Sequence, residues 1–145
     1  MGIAALVLWI LAAGGGSVLL ATWIAKGGAR QPTTSRLSPG LVFGHFALAG
    51  AGLIVWIIYL VTDTTALAWV AFAALVVVAV LGLTMFIRWI PSYRAGSATR
   101  PGSVKEPGTE APPEKHFPVA VVAGHGVFAV ATVVLVLLAA LGVGS

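Results

Sequence analysis

The sequence predicts an all-α integral membrane protein, a four-helix bundle, and three observations predict it. The chain is 59% hydrophobic and only 8% charged over 145 residues, where a soluble domain carries about 25% charged residues. Its mean hydropathy is +1.06. Its apolar residues fall into four long runs, each beyond the roughly 20 residues that a helix needs to cross about 30 Å of hydrocarbon. Each run must be helical, because backbone polar groups in lipid have to be satisfied within the segment. The whole chain, 1–145, reads as one membrane domain with a lipid bilayer as its solvent.

The first run is Ile3 to Ala25. It is long and has no basic residue before it, unlike a cleaved signal segment, so it reads as a retained helix. The second run is Leu37 to Thr62, the third Leu67 to Ile90 and the fourth Phe117 to Val143. The 91–115 segment between the last two is rich in Pro, Gly, Ser and Thr, with Glu106, Glu110 and Glu114 among its bases. Such a composition predicts a flexible, solvated tether, with docking of a soluble partner as the alternative.

All eight basic residues belong to one side. Lys26, Arg30 and Arg36 lie between spans one and two; Arg88, Arg94, Arg100, Lys105 and Lys115 lie at the end of span three and beyond it. The 63–66 connection carries none. The positive-inside rule makes that side cytoplasmic, with both termini outside and the plasma membrane as the location. The charge of +4 therefore speaks of orientation and not of nucleic acid. With no cysteine, thiolate metal sites and iron–sulfur clusters are excluded.

Spans two and four resemble each other. Pro39 and Pro118 open them, and a small-xxx-small step precedes a histidine in each: Gly40 to Gly44 before His45, Ala120 to Gly124 before His125. Spans one and three share Ala-Ala-Leu-Val (Ala4 to Val7, Ala73 to Val76) and Trp-Ile (Trp23-Ile24, Trp89-Ile90). The pattern is that of a duplicated helical hairpin. His45 and His125 then sit at one depth, roughly 10 Å inside the basic boundary, on parallel helices.

An ionisable side chain inside a bilayer is costly and marks a function by default. Two imidazoles facing across a bundle suit haem b, whose iron takes two axial histidines. The helical period puts Leu41, Ala49, Gly52 and Trp56 on the His45 face, and Val121, Phe128, Ala129 and Thr132 on the His125 face. Ala49 and Ala129 would leave room for a flat ring, and Gly44 and Gly124 would let it approach the backbone. Arg88 is the first candidate for the haem propionates, against simple snorkelling to the interface. Met85 is a minor candidate ligand and mostly core filler; His116, at the water boundary, has a minor role at most in propionate binding or proton delivery to a quinone.

This constellation resembles the small membrane cytochromes b, the cytochrome b561-like proteins and the haem-bearing anchors of respiratory dehydrogenases. The likeness covers the four spans and rests on His45 and His125. It implies electron transfer between haem and a quinone or redox partner protein, and leaves open whether the chain acts alone or in a homo- or hetero-oligomer. The b561 pattern has two histidine pairs; here spans one and three hold no histidine, which implies one haem.

The competing reading is a structural or accessory subunit without cofactor. In it His45 and His125 hydrogen-bond to Ser17, Thr84 or Thr132, and Gly14 to Gly16 form a packing surface rather than a groove for a quinone tail. A bare metal site is short of ligands. Ion transport lacks buried charges, and no nucleophile–base set points to hydrolysis.

Overall fold

The computed structural model describes residues 1–30, 34–97 and 111–143. Among them are four helices, α1 (Gly2–Ala25), α2 (Pro39–Thr62), α3 (Thr65–Ser97) and α4 (Val119–Ala140), with a 3-10 turn at Pro113–His116 before α4. All four are long and apolar enough to cross a membrane. The outward faces are apolar too: Ile3, Ile54, Val61, Val80, Val127 and Val130 are all exposed. A surface of that kind belongs in lipid, and the protein is an integral, multi-pass membrane protein.

Local chemistry sets the helix ends. Ser38 caps α2 by accepting from the Leu41 N–H, and Pro39 occupies the first turn, where a missing N–H costs nothing. The turn from α2 to α3 needs one left-handed residue, Asp63, with φ 52°. Both α1 and α4 close in a Schellman motif. Gly27 (φ 87°) and Gly142 (φ 76°) supply the left-handed position. Gly28 then returns to the Trp23 carbonyl, and Val143 to the Leu138 carbonyl.

The third helix runs further than the sequence suggests. Residues Pro91–Ser97 continue α3, and Pro113 and Glu114 are buried, so neither end of the expected 91–115 tether is a solvated linker. A proline inside a helix removes one hydrogen bond, but rings on either side hold this turn together: Trp89 stacks on Tyr93 at 5.1 Å. Residues 98–110, with Arg100 and Lys105, lie outside the described residues.

Helix α1 packs most extensively on α4, and α2 on α3, while α1 with α3 and α2 with α4 lie diagonally across the bundle. The start of α1 and the end of α4 lie at one end. There the Trp56 indole donates to the Gly2 carbonyl, and Ala5, Trp56, Ala68 and Ala140 share a core cluster. A second cluster of Trp23, Leu37 and Val42 fills the basic end.

The duplication has a definite register. Buried Ala5, Trp9, Ala12 and Trp23 of α1 match buried Ala71, Leu75, Val78 and Trp89 of α3 at one constant spacing. Gly52, Trp56 and His45 of α2 likewise match Thr132, Val136 and His125 of α4. The Trp-Ile pairs keep this register, whereas the Ala-Ala-Leu-Val match misses it by three residues. The two hairpins are thus alike in what they bury.

Candidate functional site: a histidine pair between two core clusters

His45 and His125 come together from diagonal helices. Their ring centres are 6.2 Å apart, with the planes crossed at 64°. His45 is six residues into α2 from Pro39, about 9 Å from the basic end of the helix.

Each ring is anchored through Nδ1. That of His45 meets the Val78 carbonyl of α3 at 3.0 Å, and that of His125 meets the Ala12 carbonyl of α1 at 2.8 Å. A carbonyl only accepts, so both Nδ1 atoms carry hydrogen and donate. The hydroxyls that the cofactor-free reading pairs with the rings are engaged elsewhere. Ser17, Thr84 and Thr132 each donate to the carbonyl one turn back in their own helix. A hydroxyl on a helix finds that acceptor without any neighbour's help.

The other nitrogen of each ring is left open. Among the described residues Nε2 of neither histidine makes a hydrogen bond, and no buried side-chain nitrogen or oxygen is without a partner. Both Nε2 atoms therefore keep some accessible surface. His45, His125, Ala49 and Ala129 are only partly buried, and this layer separates the two core clusters.

The remaining candidates divide. Gly44 and Gly124 face open space. The glycines that touch the rings are on the neighbouring helices: Gly15 and Gly16 against His125, Gly82 against His45. The Gly15–Gly16 part of the glycine run is a packing surface for His125, while Gly14 meets nothing. Gly52 is closed over by the Trp9 indole, 3.1 Å from where a Cβ would stand. Met85 packs against the cluster around Trp23. Arg88 is exposed at the basic end and donates to the Arg36 carbonyl at 3.4 Å. His116 is exposed and bonds within its own turn, to Pro113.

One polar group went unsuspected in the sequence. Glu114 is fully buried. Its carboxylate accepts from the Arg36 N–H at 2.7 Å, the Ser35 hydroxyl at 3.0 Å and the Ser92 hydroxyl at 3.5 Å. Its carbonyl accepts from the Trp89 indole, and the Trp23 indole donates to Ser35. The knot ties the α1–α2 connection to α3 and to the entrance of α4. Glu114 looks like Glu106 and Glu110 in sequence; its distinguishing mark is the Pro112-Pro113 pair that fixes it four residues before Pro118.

Comparison with protein-family models, curated proteins and solved structures finds no match. Among the described residues no group of three or more His, Cys, Asp or Glu side chains is placed to hold a metal ion. The donor set at the centre of the bundle is two imidazoles.

Proposed function

We propose that the chain is a haem b-binding, electron-transfer protein of the plasma membrane, in which His45 and His125 would hold the haem iron. One observation carries the reading: two imidazoles from diagonal helices, 6.2 Å apart, each anchored at Nδ1 and open at Nε2. An ion bound between two imidazole nitrogens, with bonds of about 2 Å, separates the ring centres by about 6 Å. A bare nitrogen acceptor in an apolar interior is unfavourable, and ligation satisfies it. Haem b held by two imidazoles supplies an iron that accepts and returns one electron.

The residues of the chain serve that cofactor in distinct ways. His45 and His125 bind it. Ala49 and Ala129, one turn beyond each histidine, keep the adjacent space small-sided, as do Gly44 and Gly124 beside them. Arg88 has guanidinium donors to spare and meets the propionates at the basic end. That end is the near one, so electrons are exchanged there with a quinone or a redox partner. By the positive-inside rule it is cytoplasmic, and both termini are outside.

Two experiments test the reading. In proteoliposomes, a quinol or a cytoplasmic-side reductant should reduce the bound haem; haem that stays oxidised with both would replace electron transfer by haem storage or sensing. In intact cells, Lys26 and Lys115 should resist an impermeant amine reagent, and labelling of either from outside would reverse the orientation.

The second reading is a cofactor-free accessory subunit. It is favoured by the fit of each ring against a neighbouring glycine and carbonyl, which already locks helix to helix. Protein that stays colourless after expression with ample haem decides for it.

A further inference from the structure

His45 and His125 hang from different helices and lean on different neighbours, yet both are held by the same device. The carbonyl that accepts from His125 belongs to Ala12, and the residue one turn on is Gly16. The carbonyl that accepts from His45 belongs to Val78, and the residue one turn on is Gly82. In a helix, carbonyl i already accepts from the N–H of residue i+4, and its second lone pair lies beside that residue. A side chain at i+4 obstructs it. A Cβ on Gly16 would stand 3.1 Å from His125 Cε1 and 3.4 Å from its Nδ1; one on Gly82 would stand 3.2 Å from His45 Cε1. The glycine opens the carbonyl to the ring.

We infer that Ala12–Gly16 and Val78–Gly82 are paired sockets that position the two imidazoles, fixing both as Nδ1–H tautomers with steeply crossed planes. Gly16 and Gly82 are positioning residues and touch no cofactor themselves. This rests on the haem reading for its purpose. With Nδ1–H committed to a carbonyl, only Nε2 is left for iron, and the hydrogen bond makes that nitrogen a stronger donor. The crossing of the planes at 64° has an electronic consequence. Nearly perpendicular axial imidazoles leave two iron dπ orbitals close in energy, and ferric low-spin iron then gives one very large g value. Parallel imidazoles separate those orbitals and give a rhombic spectrum.

The test joins two readouts. Nitrogen-15 histidine NMR of the haem-free protein in detergent should find both rings as Nδ1–H tautomers. Electron paramagnetic resonance of the ferric haem-loaded protein should show the large-g low-spin signal. Gly16→Ala should disturb the tautomer of His125 alone, and Gly82→Ala that of His45 alone. Each should move the large g value and shift the midpoint potential. Gly50→Ala, where a Cβ meets nothing, should change none of these. If either alanine variant fails to fold, the two wild-type measurements still decide. An Nε2–H ring, or a rhombic spectrum from haem that is bound, overturns the sockets and leaves the haem reading standing. Two Nδ1–H rings in a protein that takes up no haem overturn the haem reading, and with it the positioning role.

Discussion

Around Glu114 the polar atoms find partners within the chain; around His45 and His125 one ring nitrogen of each does not. Both places are polar groups set into an apolar bundle. The carboxylate receives two hydroxyls and a backbone N–H and has no exposed surface. The imidazoles use one nitrogen each on a neighbouring carbonyl and keep the other open. A satisfied knot of that kind fastens elements together. An imidazole nitrogen without a partner within a membrane span is a candidate ligand. The difference teaches where to look: unused hydrogen-bonding capacity, more than polarity itself, separates a candidate binding site from a fastening.

The comparison can be broken by substitution in either place. The largest effect belongs to the histidines. His45→Ala or His125→Ala should abolish the low-spin b-type spectrum or convert it to high spin. Each loses one hydrogen bond between helices, about 1 kcal/mol, so the melting temperature of the haem-free protein should fall by only a few degrees. Glu114→Ala should do the reverse. It strands the Arg36 N–H and the buried Ser92 hydroxyl, while Ser35 keeps the Leu37 carbonyl as acceptor, and should cost about 2–3 kcal/mol, read as a lower melting temperature with the haem spectrum intact. Glu114→Gln keeps one acceptor and should cost less, about 1 kcal/mol. A Glu114 variant that melts normally, or a histidine variant that unfolds, would erase the distinction between the two regions. The smallest effect is that of Arg88→Gln, which should shift the haem midpoint potential or weaken haem retention without touching ligation. An unchanged potential and unchanged retention would return Arg88 to simple interfacial anchoring.

The sequence was most informative where one physical rule acts alone. Span lengths follow from bilayer thickness, and the structure has four spanning helices near the expected limits. The grouping of Lys26, Arg30, Arg36, Arg88 and Lys115 at one end followed from counting bases. That His45 and His125 share a depth was legible from their distances to Pro39 and Pro118. Their partners were not. Hydroxyls were the obvious acceptors, but Ser17, Thr84 and Thr132 bond back along their own helices, and every helix offers carbonyls that no side-chain pattern displays. Which glycines touch the rings was hidden for a related reason. Gly44 and Gly124 are neighbours in sequence, whereas contact across helices selects Gly16 and Gly82, recognisable only through the Trp23–Trp89 register. Glu114 was hidden by its setting in a proline-rich stretch, where three glutamates look equally solvated.

The central claim is that the open Nε2 pair holds haem, and the reduced-minus-oxidised visible spectrum of the detergent-purified protein tests it most directly. Expressed with ample haem and reduced with dithionite, the protein should show the sharp bands of a low-spin b-type centre at one haem per chain, lost in either histidine variant. A featureless spectrum from folded protein, or a low-spin b-type spectrum that survives removal of His45 or His125, would contradict it.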